Sequence, residues 1–114
     1  MPTFEKSPPE LVERFHAVAE RFPEAVRRKM FGYPALFVGG NLVTGLFARS
    51  WMIRLGDDDR TALLALPGAG PFEPMPGKPM KGYATLPTDV VDDDGQLDDW
   101  IRRAIDHGKT LPAK

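Results

Sequence analysis

Few side chains in this sequence could act as nucleophiles. The 114-residue chain has no cysteine, two serines (Ser7 and Ser50) and two histidines (His16 and His107). A catalytic triad needs a nucleophile, a base and an orienting group in fixed geometry. Ser50 lacks the G-x-S-x-G pattern that exposes a catalytic serine, and Ser7 is better explained as a helix cap. The sequence therefore predicts no catalytic residue and a protein that is not an enzyme.

Two runs of aspartate could hold a hard cation. They lie at residues 57–59 and 92–94, and carboxylate oxygens suit Ca²⁺ and Mg²⁺. Neither run has the EF-hand spacing, and each stands where a helix is predicted to begin. Carboxylates at such positions cap free backbone N–H groups. Helix capping is the favoured interpretation, so we expect no metal site and no cofactor.

Basic residues form the best candidate for a binding surface. If they converge in the fold, they would contact phosphates or another anionic partner. A formal net charge of −1 gives no general attraction to polyanions. Ion pairs with Glu24 or with the aspartate runs would explain Arg27 and Arg28 structurally. A position on the open face of the sheet would explain Arg54. The predicted nucleic-acid or partner-binding residues are Arg27, Arg28, Lys29, Arg49, Arg54, Lys78 and Lys81.

Aromatic residues accompany these cations. Tyr33, Phe37, Phe47 and Tyr83 lie on or beside predicted strands and could stack on bases. Aromatic side chains at alternating strand positions are more often part of a core. We therefore expect most of the four to be buried.

A helix is predicted to position the N-terminal end of the fold. Ser7-Pro8-Pro9-Glu10 has the form of a capping box with proline at the helix start. Apolar residues follow at spacings of four, three and four, which places them on one helical stripe. The helix is expected to end before Pro23, because the residue before a proline avoids helical geometry.

Short strands are predicted for the middle of the chain, over 29–33, 35–38, 42–48 and 51–55. Gly39-Gly40 is expected to form a tight hairpin turn. Because the links between these strands are so short, the strands must pair antiparallel.

The second half is expected to contain a helix, a loop, a strand and a last helix. Nine of the sixteen residues from 67 to 82 are proline or glycine, which predicts a loop with one extended piece around Phe72. A strand is predicted over 81–86. A last helix should begin near Asp93, with Gln96 in capping-box position, and end at Gly108.

Together these elements predict an α+β fold, in which a single antiparallel sheet carries helices on one face. The length fits one domain over 1–114, with a core at about 8–107 and frayed termini. The chain shows no signal-peptide pattern and no apolar run of about 18 residues. We therefore expect a cytoplasmic protein without a membrane partner.

Three stretches of the sequence resemble the N-terminal domain of the TfoX/Sxy family over about residues 10–107. The first is Arg28-Lys29-Met30-Phe31-Gly32 with Tyr33. The second is Gly77-Lys78-Pro79-Met80 with Tyr83, Leu86 and Pro87, and the third is the closing helix with Trp100, Arg102, Arg103 and Ala104.

The resemblance implies a helix–sheet–helix fold, similar in outline to secretion chaperones and to the YjbR group. Members of the family are bacterial regulators of natural competence thought to act as transcriptional co-activators. It implies no catalytic residue. The regulators carry a second, helical domain, so the expectation here is a stand-alone N-terminal domain protein. Tyr33-Pro34 also replaces the glycine-rich stretch expected after Phe31-Gly32.

Three functions remain open from the sequence. The leading one is a non-enzymatic regulatory module that binds a protein or nucleic acid through the sheet and the loop at 67–82. The alternative is a secretion-chaperone-like module that binds a peptide, or a second copy of the chain, along an uncovered sheet edge. The third is an enzyme that uses the aspartates with a metal.

Overall fold

Six strands form one antiparallel sheet in a computed structural model that describes residues 6–75 and 77–114. The strands are β1 (Val26–Met30), β2 (Tyr33–Val38), β3 (Asn41–Phe47), β4 (Ser50–Arg54), β5 (Gly70–Pro71) and β6 (Tyr83–Thr85). The helices are α1 (Pro9–Arg21), α2 (Asp57–Leu64), α3 (Thr88–Val91) and α4 (Asp94–Thr110). The order across the sheet is β1-β2-β3-β4-β6-β5, so β1 and β5 are its edges. The predicted α+β fold with one antiparallel sheet is confirmed.

Two-residue turns join each strand to the next from β1 through β4. Phe31-Gly32 and Gly39-Gly40 both have left-handed backbone angles, with φ of 55° and 82° in the first turn and 59° and 80° in the second. These values match the tight turns that follow the natural twist of a hairpin. The predicted strand over 29–33 is therefore wrong, because the chain turns at Phe31-Gly32 and β1 lies three residues earlier. The shift places Arg27 and Arg28 inside a strand.

Helices α1 and α4 pack on one face of the sheet. Phe15 of α1 lies against Trp51 of β4, with ring centroids 5.1 Å apart. The 17-residue α4 crosses β2, β3 and β4. Gly108 permits the close approach of α4, since a Cβ atom there would lie 2.6 Å from Val43 Cγ1. None of the helices in the described residues is long and apolar enough to span a membrane.

One hydroxyl is buried in this apolar layer. Thr44 is fully buried; it accepts a hydrogen bond from Trp51 Nε1 at 2.9 Å and donates one to the Met52 carbonyl at 2.7 Å. Both polar groups are thus satisfied without water, as buried groups must be. The hydroxyl fixes the indole ring over the sheet.

The loop between α2 and β6 covers part of the other face. Phe72 is 2% exposed and packs on Ala35, Leu42 and Met52. The Met80 N–H donates to the Phe72 carbonyl at 2.8 Å, which brings the loop back across the sheet. The extended piece predicted near Phe72 is β5, immediately before it. Pro76 lies outside the described residues.

The predicted N-terminal cap is present in α4 but not in α1. Asp93 caps α4 as predicted, accepting hydrogen bonds from Gln96 N at 3.0 Å and from Gln96 Nε2 at 3.2 Å. The capping box at Ser7 is wrong. Pro8 occupies the cap position without a side-chain bond, and the Ser7 hydroxyl donates to the Ala48 carbonyl at 2.7 Å. The Ser7 hydroxyl therefore makes a tertiary hydrogen bond and does not cap α1. The aspartates at 57–59 follow a cap position held by Gly56, again with no side-chain cap bond.

The last helix continues past its predicted end. Gly108 lies inside α4, which runs to Thr110, because the missing side chain serves packing on the sheet rather than termination. The tail then lies against the β2–β3 turn. Asn41 Nδ2 donates to the Pro112 carbonyl at 2.9 Å, and Lys114 N donates to the Gly39 carbonyl at 2.8 Å. Fraying is predicted for both termini outside a core at about 8–107, and residues 1–5 of the N-terminal stretch lie outside the described residues.

Candidate binding surface at strand β1

Strand β1 forms one of the two edges of the sheet. Four of its residues are exposed and Met30 is half-buried. An edge strand presents unpaired backbone N–H and C=O groups along its open side. The three central residues are Arg27, Arg28 and Lys29. The basic run found in the sequence therefore lies along an open hydrogen-bonding edge.

Register divides these three cations between the two faces of the sheet. Arg27 lies opposite Leu36, which belongs to the core beneath the helices. Arg28 lies opposite Ala35, which packs with Phe72 on the other face. Successive side chains of a strand point to opposite faces, so Lys29 shares the helix side with Arg27.

A cleft of about 620 Å³ lies between α1 and the β1–β2 hairpin. Apolar and aromatic residues contribute much of its lining: Val12, Phe15, Tyr33, Pro34 and Ala35. Lys6, His16 and the three β1 cations also line it, together with Ser7 and Gly32, and no carboxylate among the described residues does. The cleft thus combines apolar surface with positive charge.

Charge is strongly segregated within the molecule. Residues 25–56 contain five basic residues and no carboxylate. Thirteen of the sixteen carboxylates lie in the segments 9–21, 57–64 and 88–110, which hold the helices. The net charge of −1 therefore conceals a positive side made of strands and a negative side made of helices.

Ion pairing follows the same division. All six basic residues of the helices form ion pairs with carboxylates: Arg14, Arg21, Arg60, Arg102, Arg103 and Lys109. Among the described residues, no such pair involves Arg27, Arg28, Lys29, Lys78 or Lys81. Glu24, the neighbour suggested for Arg27 and Arg28, is 2.8 Å from Arg102 and 3.7 Å from Lys109 instead. The cations of β1 are therefore not used to hold the fold together by ion pairs.

The other predicted site residues lie elsewhere. Arg54 and Lys81 line a second pocket of about 360 Å³ with Arg60 and His107. Lys78 lies in the loop, and Arg49 in the β3–β4 turn. Strand β4 is three strand spacings from β1, or about 14 Å. The seven residues therefore do not form one continuous patch.

Arg54 has an aromatic partner in that second region. Its guanidinium carbon lies 5.6 Å from the centre of the Tyr83 ring. Burial raises the pKa of the Tyr83 hydroxyl, and the nearby positive charge of Arg54 opposes this shift. Arg54 thus packs on an aromatic ring, which agrees with the interpretation that it lies on the open face of the sheet.

The side chains able to do covalent or metal chemistry are dispersed. Ser7 and His16 both line the cleft, but the Ser7 hydroxyl donates to the Ala48 carbonyl. His107 lies at the second pocket. Within residues 6–75 and 77–114, no three acidic or histidine side chains gather where they could hold a metal ion. The cleft residues are suited to binding by charge and apolar contact.

Sequence reasoning missed the contribution of α1 to this surface. Lys6, Val12 and His16 show no basic or binding pattern of their own, and only the tertiary fold brings them to β1. The sequence does indicate the positive side of the molecule, because residues 25–56 contain no carboxylate. That asymmetry identifies the positive side without identifying the cleft.

Comparison with known proteins places the chain at the level of a family. The family described as the TfoX N-terminal domain matches residues 17–108. No curated protein and no solved structure matches. The matched range contains β1 to β6, α2 and α3, most of α4, and only the C-terminal end of α1.

Proposed function

Since the chain belongs to the TfoX N-terminal domain family, we propose that it is a non-enzymatic regulatory module that binds a protein partner along strand β1. One observation carries the proposal. The only run of three consecutive basic residues lies on an open sheet edge, and these residues form no ion pair with a described carboxylate. Strand addition to such an edge gives affinity through main-chain hydrogen bonds.

The two edges of the sheet differ in their capacity to accept another strand. Strand β5 has two residues, and the second is Pro71, which has no N–H to donate. Strand β1 has five residues and no proline. Of the two edges, β1 is therefore the one that supports strand addition.

Charge selects the kind of partner. If two copies paired antiparallel through β1 about Arg28, Arg28 would face its own copy and Arg27 would face Lys29. Like charges directly opposite each other destabilise such a pair. Charged edge strands protect sheets from self-association in this way. The chemistry of β1 therefore favours an acidic segment of another protein over a second copy of this chain.

Nucleic acid is the second candidate, and the segregation of charge favours it. Lys78 and Lys81 add to the positive character of the strand side and form no ion pair with a described carboxylate. Phosphate contacts from scattered lysines and arginines give weak, salt-dependent binding without base recognition. Such contacts would use the whole positive side rather than β1 alone.

The two candidates can be separated by fluorescence anisotropy. The probes are a labelled peptide rich in glutamate with flanking leucines, its lysine counterpart, and a labelled 20-base-pair duplex, each titrated over a salt series. One variant is Arg27→Gln/Arg28→Gln/Lys29→Gln. The matched control is Lys78→Gln/Lys81→Gln/Lys114→Gln, which removes the same charge elsewhere.

The proposal expects the acidic peptide to bind, the lysine peptide to fail, and only the β1 variant to lose binding. Duplex binding that weakens equally in both triple variants would support the second candidate instead. If neither the peptide nor the duplex binds at low salt, where charge contacts are strongest, both candidates are rejected.

A further inference from the structure

We infer that the cleft between α1 and the β1–β2 hairpin is a binding site for a small amphipathic anion, with an apolar body and a carboxylate or phosphate head. The inference concerns a different kind of ligand from the protein partner proposed for β1, although both would use Arg27 and Lys29. It rests on three properties of the cleft: its volume, its apolar lining and its uncompensated charge.

The volume and lining fit a small organic ligand. Sites for such ligands have volumes of roughly 300–1,000 Å³ and are mostly apolar, with a few charged or polar groups that orient the ligand. This cleft has about 620 Å³. Val12 and Phe15 of α1 face it from one side, and Tyr33 and Pro34 of β2 from the other. Phe15 and Tyr33 are already buried in the fold, so an aliphatic or aromatic body would cover mainly the half-buried Val12 and Pro34 and remove them from water.

The charge around the cleft specifies the head group. Arg27 and Lys29 lie on the helix side of β1 and line the cleft, and Lys6 lines it from the chain before α1. Within residues 6–75 and 77–114, no carboxylate lines the cleft, and neither Arg27 nor Lys29 forms an ion pair. An anionic head would supply the missing counter-charge, and an arginine can bind a carboxylate or phosphate through two hydrogen bonds.

In the second pocket, by contrast, two arginines have partners within the protein. Arg60 there is 2.7 Å from Asp57, which also lines the pocket. Arg54 stacks on Tyr83. Arg54 and Arg60 of the second pocket therefore already have partners, whereas Arg27 and Lys29 of the cleft form no ion pair within the described chain. A neutral or cationic amphiphile would leave the charge of the cleft uncompensated, so the site should discriminate against both.

Isothermal titration calorimetry with four probes of equal chain length tests the inference. Decanoate and decyl phosphate carry the expected head groups, while decanol and decylammonium carry neutral and positive ones. All are used below the concentration at which they form micelles. Amide chemical shifts of the ¹⁵N-labelled chain locate the bound probe.

Three variants accompany the probes. Arg27→Gln/Lys29→Gln removes the charge at the cleft, and Lys78→Gln/Lys81→Gln removes the same charge elsewhere. His16→Glu places a carboxylate at the cleft from an exposed helix position. The melting temperature of each variant is measured first. These side chains make no ion pair with a described residue, so little change is expected.

The expected result is saturable binding of at least one anionic probe, with shifts at residues 12–16 and 27–35. Removing the Arg27 and Lys29 charges should weaken it by about 10-fold or more, given the strength of hydrogen bonds to charged groups. His16→Glu should weaken it as well, and the Lys78/Lys81 variant should not. Equal binding of decanol and decanoate, shifts confined to other residues, or no saturable binding of either anion would each overturn the inference.

Discussion

At the level of single side chains, some polar groups have partners within the protein, whereas the basic residues of β1 have no counter-charge among the described residues. Thr44 and Trp51 satisfy each other in the core, and Glu24 is held by Arg102. Arg27, Arg28 and Lys29 are left without a counter-charge among the described residues. This contrast separates residues that stabilise the fold from residues available to a partner.

Replacing Thr44 by valine should destabilise the protein. The change keeps the shape but removes the acceptor of the Trp51 N–H, and a buried donor left unpaired costs about 1–3 kcal/mol. Chemical denaturation at equilibrium measures the loss. Thr44→Ser retains the hydroxyl and is the control for it. A Thr44→Val variant as stable as the original protein would show that the hydrogen bond has no net value.

Phe31 is predicted to contribute little to stability. It is 53% exposed and adopts a left-handed backbone angle, with φ of 55°, that asparagine accepts more readily. Its ring contact with Phe47 at 5.8 Å is worth about 0.5–1.5 kcal/mol, which offsets the backbone strain. Phe31→Asn should therefore change the free energy of unfolding by less than about 1 kcal/mol.

The buried Phe72 provides the comparison for Phe31. Phe72→Ala should cost about 3–5 kcal/mol, because Phe72 is 2% exposed and holds the loop on the sheet. The same denaturation experiment measures both. Similar losses for the two phenylalanines would contradict the assignment of Phe31 to the surface.

At the level of helices and strands, the turns and caps with strong local preferences could be predicted from sequence. The Gly39-Gly40 turn and the Asp93 cap are local, and both are confirmed. The predicted cap of α1 and the predicted end of α4 are wrong, because Ser7 bonds to Ala48 and Gly108 packs on the sheet. The four-residue α3 (Thr88–Val91) was not predicted, since so short a helix leaves no periodic pattern.

The candidate site was less predictable than the fold. The basic run at 27–29 was recognised from sequence, but its strand was assigned three residues too late. The cleft depends on α1 lying beside the β1–β2 hairpin, which is a non-local contact without a sequence signature. Arg54 and Lys81 could not be separated from the run at 27–29 until the strand order was known.

Gly108→Ala tests the packing of α4 on the sheet. Alanine favours a helix over glycine by about 1 kcal/mol, but its Cβ would lie 2.6 Å from Val43 Cγ1 and 3.3 Å from Val38 Cβ. Overpacking of this kind costs about 1–3 kcal/mol, so we expect net destabilisation. Thermal and chemical unfolding report the change.

Gly95→Ala is the control in the same helix. A Cβ there meets only Asp93 Oδ1 at an ordinary contact of 3.5 Å, so the variant should be as stable as the original protein or more stable by up to about 1 kcal/mol. If both glycine variants are stabilised, α4 does not approach the sheet as closely as described.

For the molecule as a whole, ion pairs tie the helices to one another and to the chain before β1, and these contacts depend on pH. A hydrogen bond from the Arg102 guanidinium is the main cause that lowers the pKa of Glu24 below its ordinary 4.5. A carboxylate with a lowered pKa stabilises the fold above its unfolded pKa, and this stabilisation is lost as pH falls through the lower folded value. The Glu24 contribution is thus present at neutral pH and disappears in acid.

Glu24→Gln should therefore reduce stability at pH 7 and have progressively less effect as the pH falls below 4.5. Equilibrium denaturation over a pH series measures this. Glu13→Gln, at an exposed position without an ion pair in the described chain, is the control and should show no such trend. A Glu24 effect that stays constant from pH 7 to pH 2 would exclude the ion pair as its cause.

The segregation of charge between strands and helices is the basis for proposing that β1 binds a partner, and nuclear magnetic resonance of the ¹⁵N-labelled chain tests this proposal most directly. The chain is titrated with the glutamate-rich peptide, and hydrogen exchange is followed at the amides of Val26–Met30. We predict shift changes centred on β1 and slower exchange of its outward-facing amides, both lost in the Arg27→Gln/Arg28→Gln/Lys29→Gln variant. Changes confined to the loop around Lys78 and Lys81, or unaltered exchange along β1 at saturating peptide, would contradict it.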